Sequence, residues 1–250
     1  MNQVRIDLNA DLGEQINTEL DAHIMPYISS CNIACGGHSG NESSIEETLQ
    51  LAKRSGVSVG AHPSYPDPEF FGRRVLDISD DDLLVSLIKQ IKKVNNACER
   101  SGLDMHHVKP HGALYNYAAK NQAIASLICK AITEVNRNVK LYGSYGSEME
   151  IAAERSGLAY VTEGFADRKY EDSHTLLSRA AVGAVLTNVS EVLHQVEQMA
   201  FNQRIKTLKN GWQKIKVHTI CLHSDTPGAV TLAKKIREHL ETRGAQVTSN

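Results

Sequence analysis

Carboxylates, histidines and one lysine gather in this chain directly after short apolar runs. The first run ends in Asp7-Leu8-Asn9-Ala10-Asp11 and the second in Asn32-Ile33-Ala34-Cys35-Gly36-Gly37-His38. Others end in Gly60-Ala61-His62-Pro63, in Lys109-Pro110-His111-Gly112, and in His223-Ser224-Asp225. One more leads to Glu163 and then to Asp167-Arg168. Histidine with aspartate suits general acid–base work on a carbonyl centre. Lys109, or the backbone amides near Gly36-Gly37, could steady an oxyanion. Asp with two His is also a common set for a divalent ion. No His-Glu-x-x-His run occurs, so a metal site would have to form by convergence of distant segments. A serine nucleophile has no Gly-x-Ser-x-Gly elbow to sit on, and no Gly-x-x-x-x-Gly-Lys-Ser/Thr phosphate loop is present.

Each of these residues has a structural alternative. Asp7 and Asn9 could cap a turn, and Asp11 could hold the turn at Gly13. His38 could be a solvated loop residue. His62 and His111 could be bonded to backbone. Lys109 could sit in a structural salt bridge, because a buried ammonium without a partner is costly.

What would bring such residues together is alternation of strand and helix. Strands are expected over 4–9, 30–34, 57–61, 107–109, 139–142, 158–162 and 217–222, and a last short run over 245–248 reads as an eighth strand or an edge piece. Between 79 and 101 the apolar stripe Leu83, Leu84, Leu87, Ile88, Ile91, Val94 predicts a helix. Ser79 is its expected N-cap and Gly102 its stop. Similar stripes follow Asn121 and Asn188, and Thr226-Pro227 is expected to start the last helix. Such alternation means parallel strands joined by crossovers, in a closed (β/α) barrel or an open doubly wound sheet. No Gly-x-Gly-x-x-Gly follows the first strand, which weighs against dinucleotide binding. In a barrel, the C-terminal strand ends share one face, where the site is expected. That mouth would hold Asp7, Asn9, Asp11, His38, His62, Lys109, His111, Asp167 and His223.

The 250 residues suit one α/β domain spanning 1–250. A formal net charge of −2, without charge blocks, points to neither a nucleic-acid nor a membrane partner. No apolar run approaches a bilayer span and the N-terminal residues do not read as a leader, so a cytoplasmic location is expected. The five cysteines, an odd number without zinc-ribbon spacing, are expected to be reduced and buried.

Several of these segments resemble the LamB/YcsF family. They are Ile6-Asp7-Leu8-Asn9-Ala10-Asp11-Leu12-Gly13-Glu14, Asn32-Ile33-Ala34-Cys35-Gly36-Gly37-His38, Gly60-Ala61-His62-Pro63-Ser64-Tyr65-Pro66-Asp67, Phe71-Gly72-Arg73-Arg74 and Val108-Lys109-Pro110-His111-Gly112-Ala113-Leu114-Tyr115-Asn116. Glu163-Gly164-Phe165-Ala166-Asp167-Arg168-Lys169-Tyr170 and Ile220-Cys221-Leu222-His223 continue the match, which covers about residues 4–230. The resemblance implies an irregular seven-stranded parallel (β/α) barrel of the glycoside hydrolase/deacetylase type. It further implies the A component of 5-oxoprolinase, acting with subunits B and C to cleave 5-oxo-L-proline to L-glutamate. ATP would be the co-substrate, hydrolysed to ADP and phosphate and engaged through the partner subunits.

On that reading Asp11, His62, Lys109 and His111 are catalytic, and Asp7, Asn9, His38, Asp167 and His223 bind substrate. Similarity to deacetylases of the same superfamily would make Asp11, His62 and His111 the ligands of any divalent metal. The alternatives are a metal-dependent deacetylase of amidated sugars and a non-catalytic lactam-binding component of the complex. The chain departs from the family at His38-Ser39-Gly40-Asn41, where His-Ala-Gly-Asp is usual, at Gly37 in place of phenylalanine, and at His223-Ser224-Asp225 in place of His-Gly-Asp.

Overall fold

The computed structural model describes residues 3–14, 19–172 and 175–249. The elements run β1 (Arg5–Leu12), α1 (Glu19–Ile24), β2 (Ser30–Ala34), α2 (Glu42–Ser55), β3 (Ser58–His62), α3 (Asp80–Ser101), β4 (Met105–Val108), α4 (Gly112–Ala118) and α5 (Gln122–Val135). They continue with β5 (Lys140–Ser144), α6 (Glu148–Ser156), β6 (Tyr160–Phe165), α7 (Val189–Asn202), β7 (Arg204–Thr207), β8 (Gly211–Lys214), β9 (Thr219–Leu222), α8 (Ala229–Thr242) and β10 (Gln246–Val247).

Strands β1 to β6 pair in sequence order, all parallel, and β9 closes the ring between β6 and β1. Among the described residues, seven parallel strands thus form a closed barrel. The short β10 extends β1 at Arg5 and Ile6, as an edge piece. The closed barrel rather than the open sheet is the outcome.

The helices form where local chemistry favours them. Ser79 caps α3 through the amide of Asp82, and Gly102 ends it in the left-handed conformation. Asn121 and Asn188 cap α5 and α7 in the same way. The buried stripe of α3, Leu83, Leu87, Ile91 and Val94, packs on the barrel wall. Each such side chain contributes about 1.5–3 kcal/mol when taken out of water. Asn41, one of the departures from the family pattern, makes a capping box at the start of α2 with Ser44. An amide caps as well as a carboxylate, which accounts for the exchange at that position.

Two expectations are corrected here. The last helix begins at Ala229, after a left-handed Gly228, and not at Thr226-Pro227. The Thr226 hydroxyl is spent on Asp167 instead. The segment between α7 and β9, unassigned in the sequence, folds as the antiparallel hairpin β7–β8.

The barrel interior is polar. Alternate residues of a strand share a face, so Asp7, Asn9 and Asp11 of β1 all point into the barrel at successive levels. At the lowest level Asp7 accepts hydrogen bonds from Ser29, Ser30, Tyr142 and Thr219 hydroxyls at 2.6–3.1 Å. Above it, Asn32 donates to Asn9 and Asp11 and accepts from His107 Nε2 at 2.7 Å. Gly60 makes room for that imidazole, since a Cβ there would stand 2.4 Å from the His107 ring. Burial holds His107 well below the usual histidine range, as do nearby His106 and Lys109, so it is neutral.

Asp21 of α1 is a titratable joint next to the mouth. It accepts from the Gly13 amide at 2.8 Å and from Thr48. Burial pushes its carboxyl from 3.8 up to about 6, against the lowering effect of both hydrogen bonds. The folded state therefore holds this proton more tightly than the unfolded chain. Its contribution to stability is full below about pH 4 and is lost as pH rises to about 6. Asp21→Asn keeps an acceptor and removes the charge. It should raise the unfolding free energy at pH 7 by up to about 3 kcal/mol and flatten the pH 4–7 slope in urea titrations. An unchanged slope would contradict this.

Candidate active site

A cavity of about 810 Å³ opens at the C-terminal ends of the strands. Its floor and walls include Asp11, His62, Lys109, His111 and His223, with Tyr115 and Phe165 beside them. Arg73, Arg168, Arg179 and Lys120 stand around it.

The floor is organised by Lys109, which follows β4 and is buried. Its ammonium lies 3.0 Å from Asp11 Oδ1, 2.9 Å from Glu163 Oε1, 3.0 Å from Cys221 Sγ and 3.2 Å from Asn9 Oδ1. Burial alone would lower its pKa, but Asp11, Cys221 and Glu163 together raise it well above the ordinary lysine value. Lys109 is therefore a fixed positive charge and not a base. Asp11 is buried too, yet His62 and Lys109 hold its carboxyl well below the usual range.

Beside this layer stand three imidazoles. His62, at the end of β3, bonds through Nδ1 to the Lys109 carbonyl at 2.7 Å. His111, just after β4, bonds through Nε2 to the Phe71 carbonyl at 3.0 Å. Phe71 adopts a left-handed φ of 54°, a conformation uncommon outside glycine, and so aims that carbonyl at the ring. The remaining nitrogens, His62 Nε2 and His111 Nδ1, face each other at 3.0 Å. His38 stacks flat on His111 with centroids 3.7 Å apart, and its Nε2 lies 3.1 Å from Glu14 Oε1. Burial lowers the pKa of both His38 and His111, and for His111 the neighbouring His38 and His62 add to it.

On the opposite side His223, after β9, bonds through Nδ1 to Asp167 at 2.9 Å. Burial would raise the Asp167 pKa, but His223 and the Thr226 hydroxyl outweigh it and keep the carboxyl ionised. Phe165 stacks on the His223 ring. This dyad leaves the second nitrogen of His223 for chemistry.

The structure sorts the expected site residues by depth. Asp11, His62, Lys109, His111 and His223 border the cavity. Asp7 and Asn9, expected to bind substrate, instead lie inside β1, with their polar atoms taken by interior partners. The strand runs on to Leu12 rather than ending at residue 9, which puts both below the mouth. His38 sits behind His111, and Asp167 sits behind His223. The trio Asp11, His62, His111 meets at His62, whose Nε2 lies 3.5 Å from Asp11 Oδ1 and 3.0 Å from His111 Nδ1. Glu14 and His38 stand beside the two histidines, and Cys221 and His223 beside Asp11. Glu14, Glu163 and the rim arginines were not among the expected site residues. Glu163 lies in β6, which extends three residues beyond its expected end, and so turns into the barrel.

All five cysteines are free and buried. Among the described residues no helix is long and apolar enough to cross a membrane.

Residues 6–250 match the family model described as LamB/YcsF family. The chain belongs to the LamB/YcsF family. Among its relatives is the A subunit of 5-oxoprolinase from Histophilus somni, 42% identical over 98% of this chain and 99% of the relative. The protein of the same name from Staphylococcus aureus is 40% identical over 98% of this chain and 100% of its own. A solved structure described as the lactam utilization protein of Thermus thermophilus superposes on this LamB/YcsF chain with a TM-score of 0.91 at 35% identity, covering 98% and 100% of the two chains. The catalytic domain of a peptidoglycan N-acetylglucosamine deacetylase from Eubacterium rectale shares the fold alone, at a TM-score of 0.53 and 12% identity over 100% and 89%.

Proposed function

We propose that this chain is the A subunit of an ATP-dependent 5-oxoprolinase and carries the site that opens the lactam ring. The observation that carries this reading is the charged cavity floor at Asp11, Lys109 and His223, in a chain 42% identical to a protein named as the A subunit of 5-oxoprolinase.

The chemistry fits the residues. A five-membered lactam is an amide that water attacks slowly, so activation by ATP has a physical reason. A partner, the B or the C subunit, would transfer the γ-phosphoryl group to the carbonyl oxygen and release ADP. Water then adds to the activated ring carbon, and His223, oriented by Asp167, takes the proton. As the ring C–N bond breaks, the nitrogen receives a proton from the same dyad. The resulting acyl phosphate reacts with a second water to give glutamate and phosphate.

Lys109 places positive charge under the carbon where negative charge develops. His62 and His111 border the same carbon from the other wall. Arg73, Arg168 and Arg179 give the rim a positive potential suited to the substrate carboxylate and the phosphoryl group. Asp225 ties Arg73 and Arg179 together, with Arg73 at 2.8 Å.

Phosphoryl transfer by a partner means that the isolated chain should show no saturable binding when titrated with ATP. Tight binding by this chain alone would overturn that division of labour.

A further inference from the structure

The cavity wall next to the Asp167–His223 dyad holds two buried donors that the fold itself does not use. Arg168 directly follows Asp167 and is only 6% exposed. Its Nη2 donates to the Leu177 carbonyl at 2.7 Å, but its Nε has no hydrogen-bond partner among the described residues. The Asp167 carboxylate is taken by His223 and Thr226, and Asp225 is taken by Arg73 and Arg179. Thr175, 8% exposed, is the second case, because its Oγ1 also bonds to nothing among the described residues.

Backbone pairing brings the two side chains to one wall. The Glu171 amide donates to the Thr175 carbonyl at 2.9 Å, the Leu177 amide donates to the Lys169 carbonyl at 2.8 Å, and Tyr170 pairs with Leu176 between them. The Gln195 amide holds the Arg168 carbonyl at 2.9 Å. Both Arg168 and Thr175 line the cavity that His223 borders. A guanidinium taken out of water without a counter-charge is costly, and so is each buried donor left unpaired. Burial and the neighbouring Arg179 lower the Arg168 pKa, as expected of a positive charge short of a partner. An anion seated in the cavity is the explanation that such orphaned groups call for.

We propose that Arg168 and Thr175 form the subsite that holds the substrate carboxylate, so that the cavity takes amides bearing a carboxylate and rejects uncharged ones. One positive charge and two free donors match a planar monoanion with two oxygens. Arg73 and Arg179 are poorer candidates, because they share Asp225 and their side chains are 42% and 25% exposed. An uncharged amidated sugar would leave Arg168 buried and unpaired. Arg168 follows Asp167 and lines the same cavity as His223, so a carboxylate held there sets the rest of the ligand beside the dyad. The inference rests on the lactam reading for the ring, whereas the carboxylate subsite is tested without turnover.

The test is calorimetric titration of the full chain alone with 5-oxoproline, with 2-pyrrolidinone, which is the same ring without the carboxylate, and with N-acetylalanine, an open-chain amide that has one. The chain should bind 5-oxoproline about 30-fold or more tightly than 2-pyrrolidinone. Arg168→Gln should erase that preference, whereas Arg100→Gln, at an exposed position of α3, should leave it intact. Thr175→Val should weaken 5-oxoproline about 10-fold and leave 2-pyrrolidinone unchanged. Circular dichroism checks that each variant folds. If Arg168→Gln does not fold, Thr175→Val decides alone, and an unchanged affinity for 5-oxoproline would then overturn the subsite. So would a preference for 5-oxoproline that survives in folded Arg168→Gln, or no binding of either carboxylate by the unaltered chain. Binding of N-acetylalanine that needs Arg168, without binding of 5-oxoproline, would keep the subsite and remove the lactam reading.

Discussion

Lys109→Met is expected to destabilise the protein by about 3–5 kcal/mol, the cost of leaving buried charge without its partner. Methionine nearly fills the space of lysine but removes the ammonium between Asp11 Oδ1 and Glu163 Oε1, which approach it at 3.0 and 2.9 Å. Both carboxylates are buried, so their charges are poorly solvated once the ammonium is gone. The lysine pKa is raised in the folded state, so the stabilising term is fully present at neutral pH and fades only in strong alkali. Urea titration at pH 7 measures the loss. Adding Glu163→Gln to Lys109→Met should recover part of it, because one of the two opposed charges is gone. A loss under about 1 kcal/mol would show that this layer is worth no more than a surface pair.

The second large effect concerns turnover. His223→Ala should lower glutamate release by the reconstituted enzyme roughly 10²- to 10⁴-fold, the usual worth of a positioned acid–base group. The chain should stay folded, since His223 is half-buried at the cavity edge and the Thr226 hydroxyl still bonds the Asp167 carboxylate. Asp167→Asn should cost less and shift the pH profile, because the amide still accepts a hydrogen bond but no longer favours a charged imidazole. Wild-type rates from a folded His223→Ala chain would remove the dyad from the mechanism.

The placement of this chemistry was largely legible in the sequence. Strand ends are marked by His62-Pro63 and Lys109-Pro110-His111, and parallel strands send such ends to one face. Caps were legible for the same local reason, as Ser79, Asn121 and Asn188 show. Depth along a strand was not. Asp7, Asn9 and Asp11 share a face, but each step of two residues moves about 6.6 Å along the strand, and only Asp11 reaches the cavity. Where β1 ends depends on pairing with β2 as far as Leu12–Ile33, a contact absent from the local pattern.

Glu163 was hidden for a similar reason. Its partner Lys109 is 54 positions away, and the strand expected over 158–162 runs on to Phe165, which carries Glu163 into the barrel. Thr226 was misread because a tertiary bond to Asp167 competes with helix capping. Glu14 carried no signal of its own. Its role as a neighbour of His38, His62 and His111 exists only once three separate loops meet.

The most direct measurement is glutamate release from 5-oxoproline and ATP by the B and C subunits, run with and without this chain. Glutamate that appears only when the chain is present, and scales with it, is the predicted result. Release that does not depend on the chain, with the partners shown competent alongside the Histophilus somni relative, would contradict the account.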